Sequence, residues 1–226
     1  RRETGRVLVL HVITSESETP KDGTRAMENA FRRRCTQANV RGDITVSFGH
    51  VPDEVCRRAR LADLVVLSLK FPPAPRPAAR LGSGISAIVR RCPTPVLTVP
   101  PQPPTLRRAL LAYDGSPKSR EALYVSTYLS TEWSIPLVAV TVLEAGRATS
   151  KTLKEAETYL AKRGAEATFL KGYGPVAGVL TRTAKVRKCG LIVMGGYGFD
   201  PVREIVLGSQ VDEVLRQSQR PVLICR

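Results

Sequence analysis

Leu191-Ile192-Val193-Met194-Gly195-Gly196-Tyr197-Gly198 is the stretch whose reading decides the fold. Its first four residues are continuously apolar, as expected of a strand covered by helices on both faces, and glycines follow at once. After Gly198 come nine residues and then Gly208-Ser209-Gln210-Val211, which open an amphipathic helical pattern. Glycines leave the backbone bare of Cβ, and a helix beginning near Ser209 presents N–H groups and the positive end of its dipole, an arrangement that suits a phosphate. The same letters also read as turn residues after a strand and a simple N-cap at Ser209, because a short glycine pattern is weak by itself.

Working outward, the second half reads as strand (109–113), helix (117–130), strand (136–143), helix (150–163), strand (165–170), helix (175–188), strand (190–194), helix (208–217) and strand (221–225). That alternation predicts a doubly wound parallel sheet. Ligands of such sheets sit outside the carboxyl ends of the strands, which draws attention to Asp114-Gly115-Ser116-Pro117 after the first strand.

The first half repeats this plan. Val7 to Val12 matches Leu137 to Val142 at an offset of 130, Leu64 to Leu67 matches Leu191 to Met194 at 127, and Cys92 to Val99 matches Ser218 to Cys225 at 126. Pro100-Pro101-Gln102-Pro103-Pro104 separates the copies as a stiff linker. The expected organisation is a first domain over 1–100, a proline-rich linker over 101–105 and a second domain over 106–226. Each is a Rossmann-like, five-stranded parallel sheet flanked by helices, the first lacking its first strand and helix in this chain. By the repeat logic the natural chain is expected to begin roughly 30 to 40 residues earlier.

Composition narrows the class. An apolar fraction of 42% with 24% charged residues is ordinary for a globular protein. No apolar run approaches the roughly 20 residues needed to span a bilayer and no signal peptide opens the sequence, so the expected location is cytoplasmic. The net charge of +15 favours association with anions, but the arginines are spread over both halves without interleaved aromatics, which disfavours nucleic acid as the main partner. Five scattered cysteines form neither a CxxC site nor an even disulfide set, and His11 and His50 lack metal-ligand spacing, so no metal site is expected in the protein itself.

The spacing Gly195-x2-Gly198-x9-Gly208-Ser209, following the fourth strand of a repeat that opens with Asp114-Gly115-Ser116, resembles the universal stress protein family. The resemblance extends to Gly172-Tyr173-Gly174-Pro175 and Arg220 to Ile224 and spans 107–226. The first copy resembles it more weakly, through Gly49, Pro52, Ala62 to Val66 and Pro93 to Val99. The family's fold is similar to that of the adenine nucleotide alpha hydrolases, and its nucleotide-binding branch holds ATP on this motif. The resemblance therefore implies that Asp114 meets the ribose or adenine and that Val140 or Val142 lines the adenine pocket. It also implies that Met194, Gly195, Gly198, Gly208, Ser209 and Gln210 surround ribose and phosphates, with ADP or AMP as alternatives and Mg²⁺ accompanying the phosphates. Arg203 either neutralises phosphate or faces solvent, and Asp114 also reads as part of a helix entry.

In the first copy, Ser68-Leu69-Lys70-Phe71 replaces the glycines and prolines follow, leaving only Gly82-Ser83. Side chains and missing amides spoil a phosphate loop there, so one nucleotide site per chain is expected. The resemblance implies packing through the last strands, so Thr94 to Val99 and Pro221 to Cys225 are the expected pairing edges, within the chain as a pseudo-dimer or between chains as a homodimer. No Walker lysine follows the glycines and no nucleophile–base pair is evident, so the expectation is a stress-response sensor or regulator with at most slow ATP hydrolysis. A module that binds no nucleotide, and a regulatory domain of a transporter, are the alternatives.

Overall fold

A computed structural model describes residues 5–14, 22–69, 72–73, 84–143, 148–197 and 209–226. Its elements are β1 (Arg6–Ile13), α1 (Asp22–Ala38), β2 (Arg41–Phe48), α2 (Val51–Ala59), β3 (Val65–Ser68), α3 (Gly84–Arg91), β4 (Val96–Val99), β5 (Ala109–Ala112), α4 (Pro117–Thr131), β6 (Leu137–Val142), α5 (Ser150–Lys162), β7 (Ala167–Gly172), α6 (Val176–Val186), β8 (Leu191–Gly195), α7 (Gln210–Gln217) and β9 (Val222–Cys225). The chain divides into two compact units, Arg1–Arg58 and Ala59–Arg226.

In the first unit β1 and β2 pair in parallel from Arg6 opposite Arg41 to Ile13 opposite Phe48. Helix α1 packs closely over β2 at Gly42, where a Cβ would come within 2.5 Å of Cys35 Sγ and the Phe31 ring. In the second unit seven strands form one sheet in the order β3-β4-β9-β8-β5-β6-β7. The five from β9 to β7 are mutually parallel, matching the sheet expected for the second half. Among the described residues of the first half, four strands instead form two parallel pairs, β1-β2 and β3-β4.

The one antiparallel junction of the large sheet joins β4 to β9, with Val96 opposite Ile224, Leu97 opposite Leu223 and Thr98 opposite Val222. This junction ties residues 59–99 to the second half, so the linker at 101–105 lies inside the second compact unit.

Period-two alternation splits the strand side chains between two layers. Leu110, Val138, Val140, Ile192, Met194 and Val222 face a core closed by α6 and α7. Ala109, Leu111, Leu137, Ala139, Leu191 and Val193 face a second core closed by α4 and α5. Burial on both faces explains why β6 and β9 carry no outward polar rhythm. Among the described residues no helix is long and apolar enough to cross a membrane.

Candidate functional site

The parallel pairing of β5 with β8 brings the turn Asp114-Gly115-Ser116 beside Gly195. Gly115 lies in the left-handed region at φ +81°, which a β-carbon disfavours, and its Cα faces Thr152 of the first turn of α5. Asp114 is exposed and its Oδ1 accepts a hydrogen bond from Ser116 N at 3.0 Å. Ser116 caps α4, its Oγ accepting from Ser119 N, and Pro117 supplies the preset φ of the first helical position.

Gly195 is required by packing. A Cβ there would stand 2.8 Å from Lys118 C and Ser119 N, so the end of β8 lies against the first turn of α4. Gly196 is equally constrained, since a Cβ would meet Cys225 O at 2.9 Å. Its N–H donates to that same carbonyl at 2.6 Å, which commits the amide to the sheet.

Ser209 is buried and caps α7, its Oγ accepting from Val211 N at 3.1 Å, while Gln210 is the exposed first residue of that helix. Val140, Val142 and Met194 belong to the apolar core on the α6 and α7 face, Val140 being only 1% exposed. The carboxyl end of β6 is joined to that of β5 by Tyr113 N donating to Val140 O at 3.0 Å and Thr141 Oγ1 donating to Tyr113 O at 2.8 Å. Gly198, Arg203 and Gly208 lie outside the described residues. Asp114, Gly195, Val140 and Val142 thus share one end of the sheet, on adjacent strands.

A buried polar cluster beside this end escaped the motif reading. Tyr197, only 3% exposed, donates its hydroxyl to Asp212 Oδ1, which also accepts from Ser86 Oγ at 3.0 Å. The Arg90 guanidinium lies 3.7 Å from the Tyr197 ring centroid. Burial above all, and then the neighbouring Asp212 carboxyl, hold the Tyr197 phenol well above the usual tyrosine range, against the pull of Ser86 and Arg90. The signal in the sequence is Asp212 itself, a carboxylate among the apolar residues Val211, Val214 and Leu215 of one helix.

A groove of about 510 Å³ opens elsewhere in this unit, lined by Leu69, Pro72, Pro101, Leu215 and Arg216 among others, and includes none of the expected nucleotide residues.

The sequence model of the universal stress protein family matches residues 105–226, which hold the glycine turn, the Asp114 turn and all five parallel strands. The chain belongs to the universal stress protein family. Universal stress protein Slr1230 of Synechocystis sp. is 31% identical over 168 residues, covering 73% of this chain. The match spans 58% of that protein's length. A universal stress protein of Archaeoglobus fulgidus shares the fold with a TM-score of 0.78 at 19% identity, over 98% of this chain and 85% of its own. Another universal stress protein from Archaeoglobus fulgidus, solved in complex with dAMP, is 21% identical with a TM-score of 0.42, over 53% of this chain and 97% of its own.

Proposed function

We propose that the chain is an adenine-nucleotide-binding stress regulator, with a single site at the carboxyl ends of β5, β6 and β8, whose occupancy alters partner binding. The observation that carries this reading is the contact of Gly195 with the first turn of α4, which sets a glycine-rich strand end against a helix N-terminus. The donor chemistry fits a nucleotide: backbone amides and a positive dipole end for phosphates, and the Asp114 carboxylate for ribose hydroxyls or the adenine amino group. ATP is the proposed ligand, and Mg²⁺ arrives with its phosphates. The residues of this site bind and orient the nucleotide.

We further propose that residues 1–100 and 106–226 are tandem copies forming an intramolecular pseudo-dimer through β4 and β9. Two observations support this: the parallel pairs β1-β2 and β3-β4 repeat β6-β7 and β8-β9, and the β4-β9 ladder sets Leu97 opposite its repeat counterpart Leu223. Loss of the glycines between Ser68 and Phe71 leaves the second copy as the binding half.

Calorimetric titration with Mg-ATP tests the first proposal, beside a Gly198→Val, Gly208→Val double variant. Saturable binding near one site per chain, abolished in the variant, is expected. Absence of binding to the unaltered chain favours the module that takes no nucleotide.

A further inference from the structure

The β4-β9 ladder has a register with a particular symmetry. Leu97 and Leu223 occupy the same place in the two copies and face each other, while Val96 meets Ile224 and Thr98 meets Val222. That is the pattern a two-fold axis through the Leu97/Leu223 pair produces: equivalent residues meet on the axis, and beside it Val96 meets the counterpart of Thr98 while Thr98 meets the counterpart of Val96. Ser86 and Asp212, 126 residues apart, are equivalent by the same offset, and they also meet, Ser86 Oγ donating to Asp212 Oδ1 at 3.0 Å. Both are buried, at 4% and 2% exposure. The Leu pair is the same on both sides of the axis. The polar pair is not.

The asymmetry has a chemical consequence. In the observed pairing the Asp212 carboxyl receives two hydroxyl donors, Ser86 and Tyr197. Were two C-terminal halves to meet through the same face, each Asp212 would face another Asp212 in a site closed to water. Two buried carboxyls in that position repel, or one must take up a proton at a cost in free energy. We propose that Asp212 makes the β9-α7 face specific for the chain's own β4-α3 segment and closes it to a second copy of the C-terminal half. Ser86 is the matching key, and the device works by repulsion against the wrong partner as well as attraction to the right one. The inference rests on the tandem pseudo-dimer reading and is independent of nucleotide binding.

The substitution Ser86→Asp builds within one chain the meeting of carboxyls that two C-terminal halves would make, and Ser86→Asn has nearly its size without its charge. Urea unfolding of the full chain at neutral pH should give a folding equilibrium constant for S86D about tenfold or more below that of S86N. The swapped pair S86D/D212S should regain most of the loss. If S86D does not fold, recovery of a folded chain on adding D212S is the same result. Equal losses in S86D and S86N, with S86A and D212N non-additive, would keep the contact and overturn the specificity. Strict additivity of S86A and D212N would instead remove the contact, and with it the pairing of the two halves on which the proposal stands.

Discussion

At the residue scale Gly195, Ser209 and Cys225 are each held by a different physical constraint. The Cβ of a Gly195→Ala variant would overlap the backbone of Lys118 and Ser119, which cannot rotate away as a side chain would. That variant should lose about 1–3 kcal/mol, read from its urea midpoint. Ser209→Ala removes the oxygen that accepts from Val211 N and should cost about 1 kcal/mol, while Asp114→Ala, at an exposed site, should leave the midpoint nearly unchanged yet weaken nucleotide binding. The thiol of Cys225 is pushed up from 9.0 to about 12, by burial first and by Glu121 second. The folded chain therefore holds a proton that the unfolded chain releases. Stability is unaffected below about pH 9 and falls above it, by about 1.4 kcal/mol per unit, up to the folded value. Cys189, raised by its own burial, and Tyr197 add in the same direction. Replacing Cys225 by Val should flatten the decline measured between pH 9 and 10.5.

At the element scale the junction of β4 with β9 is the feature most open to test. Thr98, with no exposed surface, donates its hydroxyl to Val222 O at 3.2 Å, so Thr98→Val keeps the shape and removes one bond across the junction, at about 1 kcal/mol. The strands and helices of the second half were legible because their apolar periods and glycine punctuation are local properties. The sequence reading began β7 two residues early, at 165, and ended α6 two residues late, at 188; Lys188, in the left-handed region at φ 53°, follows the end of that helix. The pairing of β4 with β9 was expected from the family resemblance. The Tyr197–Asp212–Ser86 cluster was not, because a tyrosine between two glycines reads as a loop residue until a distant helix is seen to bury it. The resemblance implies that Val140 or Val142 lines the adenine pocket; in the fold both are buried on β6, in the core on the α6 and α7 face.

At the scale of the whole molecule, a net charge of +15 gives long-range attraction for polyanions. Duplex DNA should be retarded by the chain at about 20 mM KCl and released by about 200 mM, with no preference for sequence. Retention at high salt would require a specific interface that the scattered arginines do not suggest. The same antiparallel junction also orders events in time. Leu97 leaves the ribosome 126 residues before Leu223, its partner in the ladder. At about 5–20 residues per second, β4 waits roughly 6–25 s with one edge unpaired. During synthesis that bare edge is the surface on which two nascent chains on one message would meet first, so slower translation of residues 100–222 should raise the share of aggregated product.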